Sequence, residues 1–171
     1  CSHFNAWQIY HRYKRFPKVI FNGVDIDRFA PRPHDPALRA RLGFAPGDVV
    51  FAFAGRVVGL KGLWVPIRAL ADPALAGLPV RLLIIGDGPA QPALEKLAGE
   101  LGVGDRVTFH APVQHGDLPA LYAAADGCVF PSTVDEAFGI AVAEAMAVGL
   151  PVIGSYIGGI PEVVGNEAGC G

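Results

Sequence analysis

The sequence is short of cysteine, of charge and of long apolar runs, and each shortage excludes something. Its three cysteines, Cys1, Cys128 and Cys170, form neither a C-x-x-C pair nor a Cys/His cluster at zinc spacing. A metal site and a disulfide framework are therefore not expected. An odd cysteine count without a framework fits a reducing, cytoplasmic compartment. Charged residues make up 18% of the chain and the formal net charge is −2, which leaves no basic footprint for nucleic acid. Any anionic ligand must be gripped by a few local groups rather than by a global field. The most apolar window, residues 140–154, contains Glu144 and is too short to span a bilayer. Residues 1–16 mix aromatics with bases and lack the apolar segment of a secretory signal.

What is present is a globular composition: 51% hydrophobic over 171 residues, enough for one domain with a sizeable core. Residues 1–16 carry Trp7, Tyr10, Tyr13 and Phe16 beside His11, Arg12, Lys14 and Arg15, and read as a helix. Such a helix can lie on a membrane; packing against a part of the protein absent from this chain is the favoured reading. Residues 19–21 read as a short strand before the Asn22-Gly23 turn.

From Val49 onward the pattern becomes regular. Residues 49–54 form an apolar run of the kind found in strands buried on both faces. A helix follows over 60–75, with Pro66 in its first turn. Then come a strand at 81–85, a helix at 90–101, a strand at 107–110, a helix at 117–125, a strand at 128–130, a helix at 136–148 and a strand at 151–154. This alternation predicts an α/β fold, a doubly wound parallel sheet of Rossmann-like type with right-handed crossovers. Ligands of such sheets bind beyond the carboxyl ends of the strands, where the strand order reverses.

The loops at those ends carry the candidate chemistry. Gly55-Arg56-Val57-Val58-Gly59-Leu60-Lys61-Gly62 brings two cations to a strand end on a glycine-bearing loop. Arginine offers a planar fork and lysine a point charge, a combination suited to a diphosphate. The spacing is not that of a Walker loop. Gly86-Asp87-Gly88-Pro89-Ala90-Gln91 begins like a dinucleotide fingerprint but has Gln91 at the third glycine position and follows the second strand, so a nicotinamide site is rejected. In the stretch from Ser132 to Met146, Glu136 and Glu144 lie eight residues apart. Glu136 is placed at a helix mouth and Glu144 two turns into an apolar Ala/Val segment, about 80° further round. A carboxylate there needs a partner; sugar hydroxyls or an internal ion pair would serve. Gly139 lets a ligand approach free backbone amides. Gly158-Gly159-Ile160-Pro161-Glu162 reads as a backbone cradle or a plain turn. His110 and His115 flank the third loop and read as surface residues.

Together these segments, from about Val19 onward and in this order, resemble the carboxy-terminal domain of retaining glycosyltransferases of family 4, which have the GT-B fold. The linker Asn22-Gly23-Val24-Asp25, the Arg56/Lys61 loop, Gly86-Asp87-Gly88-Pro89, Pro131-Ser132, the Glu136/Glu144 pair and Gly158-Gly159-Ile160-Pro161-Glu162 carry the resemblance. It implies that residues 1–30 are a leader and interdomain linker, and that residues 31–171 are a nucleotide-sugar-binding domain that stops before its last strand and helix. An amino-terminal acceptor domain is expected in the complete protein, where membrane contact is also open.

The resemblance implies that Arg56 and Lys61 neutralise the donor diphosphate without a metal or other cofactor. Glu136 is implied to meet the transferred sugar, and the amides around Phe138, Gly139 and Ile140 the sugar and phosphate. Glu144 would then hold the ribose, and the strand end at residues 111–113, with Val113, would frame the base. Arg56, Lys61 and Glu136 are accordingly the expected catalytic residues. Where family members commonly have glycine, this chain has Ala111. The alternatives are a non-catalytic nucleotide-binding module, or a GT-B epimerase or phosphorylase. The chain alone is expected to bind donor and not to turn it over.

Overall fold

Two apolar runs set the sheet. Val49–Ala54 (β1) and Val80–Ile85 (β2) are built from aliphatic and aromatic side chains, with Arg81 their only charge. Strands so composed are stable where both faces are covered. They pair in parallel over their full length, from Val49 beside Val80 to Ala54 beside Ile85. Val107–His110 (β3) adds to β2, Gly127–Phe130 (β4) to the other side of β1, and Val152–Gly154 (β5) to β4. The product is a parallel sheet in the order β3-β2-β1-β4-β5, the doubly wound, Rossmann-like α/β arrangement expected from the sequence. The computed structural model describes residues 2–165; Cys1, Cys170 and the rest of the expected domain beyond residue 165 lie outside the described residues.

Helices occupy the crossovers. Trp64–Leu70 (α3) and Gln91–Glu100 (α4) connect β1 to β2 and β2 to β3, and Leu118–Tyr122 (α5) leads back to β4. Ile140–Ala147 (α6) joins β4 to β5, and Ile160–Val164 (α7) follows. The sheet grows one way from β1 to β3 and the other way from β4 to β5, so right-handed crossovers put the two helix sets on opposite faces. Between them lie Phe53, Ile67, Leu83, Ile84 and Tyr122, all fully buried. Cys128 of β4 is also fully buried, and burial pushes its thiol pKa far up.

Ahead of the sheet come His3–Tyr13 (α1) and Pro36–Arg41 (α2). Arg39 of α2 donates to the carbonyls of Ala124 and Asp48 and to Asp126. It thereby ties α2 to the amino-terminal end of the sheet.

Three expectations are corrected. The helix placed at 60–75 is a 3-10 turn (Gly59–Lys61), α3 and a second 3-10 turn (Pro73–Leu75), because Gly62 sits at φ 66° and ends the first turn. Residues 19–21 form no strand; Phe21 instead sets its ring 6.4 Å from Phe138 and 5.4 Å from His3. The helix placed at 136–148 is α6 alone, because Gly139 caps it in the left-handed region at φ 91°. Glu136 therefore lies on the loop before the helix, and the angular offset expected between two glutamates of one helix does not apply.

Candidate functional site

The strand order reverses between β1 and β4, and at their carboxyl ends opens a cleft of about 350 Å³. Phe53 and Phe130, the residues near the two strand ends, form its floor with their rings 5.9 Å apart. Its walls are the loops after β1 and β4, and backbone contacts zip the two together. Thr133 donates from its amide and its hydroxyl to the Leu60 carbonyl. A Cβ on Gly62 would stand 2.0 Å from the Pro131 carbonyl oxygen, so only glycine allows this approach. The outcome is that Lys61 Nζ lies 2.5 Å from Glu136 Oε1, with the Ser132 hydroxyl donating to the same oxygen at 2.7 Å.

The glycines of the rejected fingerprint have a different task. A Cβ on Gly86 would meet the Gly55 carbonyl oxygen at 2.1 Å, and one on Gly88 the Val57 carbonyl oxygen at 2.3 Å. The Val57 amide donates to the Asp87 carbonyl, and the Ala90 amide to that of Val57. The β2 loop is thus a bracket that holds Arg56 in place. Arg56 is exposed, and among the described residues its guanidinium has no hydrogen-bond or ion-pair partner, so its charge is available at the cleft.

Glu136 is partly buried, which works to raise its pKa. The hydrogen bonds from Lys61 and Ser132 and the charges of Lys61 and Arg56 outweigh that and hold the carboxyl below its usual value. Its backbone is clasped from behind. Gly159 donates its amide to the Glu136 carbonyl at 2.7 Å, and a Cβ on Gly158 would come within 2.5 Å of the Glu136 nitrogen and oxygen. Beyond Glu136, Phe138 turns a buried side chain toward Phe21. Gly139, Ile140 and Ala141 then line the cleft. The first amides of α6 have no acceptor further back in the helix, so this wall offers donors.

A second hollow, of about 300 Å³, shares Ala54, Gly55 and Arg56 with the first and is lined on its far side by Val113 and His115. Glu144 is buried in α6, and its Oε1 is 2.7 Å from His115 Nε2. His115 in turn packs against Phe29, ring centres 5.0 Å apart and tilted by 48°, and its Nδ1 lies 3.5 Å from the Arg28 guanidinium. Sequence reasoning placed His115 on the surface; it is exposed, but it supplies the partner that a buried carboxylate demands. Ser132, read from sequence only as part of the Pro131-Ser132 segment, likewise gains a contact role, to Glu136. Lys61 and Glu136 are brought into direct contact, Arg56 lines both hollows, Phe138, Gly139 and Ile140 lie along one wall of the first, Val113 borders the second, and Glu144 reaches the second only through His115.

A larger hollow of about 490 Å³ lies beside α3. Its lining is apolar apart from Ser155 and Arg81, and Arg81 is paired with Asp48, so it lacks the free charge that the switch-point cleft has. Among the described residues no group of three or more His, Cys, Asp or Glu is placed to hold a metal ion, and no helix is long and apolar enough to cross a membrane.

Known proteins resemble this chain in sequence and in fold. The D-inositol 3-phosphate glycosyltransferase of Mycolicibacterium smegmatis is 42% identical over 153 residues, which are 86% of this chain and 34% of that protein. The chain thus spans about a third of the length of the curated relatives it matches. A crystal structure of Anabaena HepE in complex with UDP and glucose superposes with a TM-score of 0.81 at 31% identity, covering 94% of this chain and 44% of that one. The carboxy-terminal domain of the Francisella tularensis group 1 protein LpcC shares the fold, with a TM-score of 0.69 at 24% identity, covering 82% of this chain and 74% of that domain. Residues 35–171 match the family described as glycosyl transferases group 1. The chain belongs to that family, and its fold is that of the carboxy-terminal half of a GT-B glycosyltransferase.

Proposed function

We propose that this chain is the donor-binding domain of a retaining family 4 glycosyltransferase, which moves a sugar from a nucleoside diphosphate to an acceptor bound by an amino-terminal domain. One observation carries the reading: Arg56, Lys61, Glu136 and the amino-terminal amides of α6 converge on a single cleft at the switch point. A diphosphate fits between the free guanidinium of Arg56 and the ammonium of Lys61, with α6 amides adding donors. Glu136, ionised and facing the same space, suits the hydroxyls of the transferred sugar. The ribose would take the place of His115 on Glu144, and the base would lie in the second hollow against Val113.

In the reaction, the bond between the sugar anomeric carbon and the β-phosphate oxygen breaks, and its electron pair leaves with the nucleoside diphosphate. An acceptor oxygen forms the new bond on the same face of the sugar and releases its proton, which the departing phosphate can take. Arg56 and Lys61 stabilise the charge that grows on the leaving group, which is how fixed cations lower such a barrier. With two cations in place, the reaction would need no metal or other cofactor. Contact of the complete enzyme with a membrane, through the aromatic and basic face of α1 or the acceptor domain, belongs to the same proposal.

The experiment is a calorimetric titration of the chain with UDP, GDP and ADP, alongside Lys61→Ala and Glu144→Ala. UDP is the first choice because the similar Anabaena structure carries it. Saturable binding of one nucleotide, weakened by both changes, supports the reading. A folded chain, and a folded complete protein, that bind none of the three overturn it.

A further inference from the structure

The loop that carries Glu136 is held by a part of the protein far away in sequence. Ser2, fully buried, donates its hydroxyl to the carbonyl of Ala137 at 2.6 Å and accepts the Asn5 amide as the cap of α1. The next two amides of that helix, His3 and Phe4, each donate to one carboxylate oxygen of Glu162 in α7, both at 2.7 Å. A carboxylate accepting two first-turn amides is a strong cap, since charge and dipole act together. Most of α1 is otherwise exposed, with Ala6 its one buried residue among those described, and this cap is one of the contacts that fix its first turn.

We propose that Ser2 and Glu162 are positioning residues for the sugar side of the cleft. Glu162 locks the first turn of α1, and Ser2, carried on that turn, fixes the Ala137 carbonyl. Gly159 fixes the neighbouring Glu136 carbonyl from the other side. Glu136 and the entry into α6 are thereby held by both of these clamps, among other contacts, and the first depends on α1. The nucleotide side rests on other supports: the loop of Arg56 is bracketed by Gly86 and Gly88, and Glu144 sits within α6. Releasing the α1 clamp should therefore loosen the sugar side most, and reach the nucleotide side only through the first α6 amides. In its ligand terms this rests on the donor-binding reading above; in its mechanical terms it does not.

The test uses the complete protein with Ser2→Ala, Glu162→Ala and Glu162→Gln. Amide hydrogen exchange without ligand is expected to quicken about tenfold over residues 136–140 and in α1 in both alanine variants, the scale of one lost cap. Exchange at residues 55–61 stays unchanged, and Glu162→Gln, which keeps one acceptor oxygen, lies between. Under the donor reading, the Kd for UDP rises by no more than about threefold, through the first α6 amides alone, while kcat with the sugar nucleotide falls about tenfold. Quickening confined to α1, or spread evenly over the domain, would overturn the proposal. The same local pattern in a protein that does not bind UDP would sustain the clamp and sink the donor reading.

Discussion

Lys61 Nζ stands 2.5 Å from Glu136 Oε1, so in the free chain the cation expected to meet a diphosphate is already engaged by the carboxylate expected to meet the sugar. Both side chains are mostly screened from water, at 25% and 21% exposure. The pair is a pre-set junction between the phosphate and sugar portions of the cleft. Replacing Lys61 with alanine should weaken UDP by roughly tenfold to a hundredfold, the range for losing charge-assisted hydrogen bonds. Calorimetry on folded protein checks this.

The lowered pKa of Glu136 has a direction in stability. A carboxyl whose folded pKa lies below its unfolded value gives a contribution that is complete above the unfolded value. That contribution disappears as pH falls through the folded one. Urea midpoints should therefore drop on the acid side, below the ordinary carboxylate range. Glu136→Gln should flatten that acid limb and leave the neutral region nearly level. An unchanged acid limb in the variant would show that other carboxylates dominate.

Glu144 and His115 make opposite predictions. Glu144→Ala removes the group proposed to hold the ribose and should weaken UDP about tenfold or more. His115→Ala removes the 2.7 Å contact that a ribose would have to displace. It should tighten UDP up to about fivefold, the scale of one hydrogen bond that the ligand no longer has to displace. Weaker binding after His115→Ala would mean that the imidazole itself touches the ligand.

Glycines of similar φ should differ sharply in cost. Gly62→Ala places a Cβ against the Pro131 carbonyl as well as at positive φ, and should cost on the order of 2–4 kcal/mol. Gly77→Ala, at φ 78° with open space around it, should cost about 1 kcal/mol. Chemical denaturation of the two variants makes the comparison. Equal losses would mean that the loop after β1 moves freely from that after β4.

The sheet was legible because burial on both faces leaves an unmistakable record: Val49–Ala54 and Val80–Ile85 are apolar runs bounded by turns. The extent of α6 was misjudged because the Ala/Val composition around it suits a helix, while the stop is a single backbone angle at Gly139. Residues 19–21 misled for the converse reason, since an apolar triplet of which only Phe21 turns its ring to Phe138 looks like a strand. Lys61 and Glu136 could be singled out one by one, but their contact spans 75 residues and depends on the fold. The partner of Glu144 was foreshadowed only as a need, because burial requires some partner and does not say that His115 supplies it. The clasp of Ser2 on Ala137, across 135 residues, left no local signal at all.

Cys128, sealed at the centre of β4 with its thiol kept protonated, is a silent reporter. A thiolate-directed reagent cannot reach it until the layer packed on that face of the sheet lifts away, so the labelling rate of that one residue, followed by peptide mass, measures how often the core opens. The same shielding makes oxidative damage at this position a mark of chains that have already come apart, rather than a cause of their doing so.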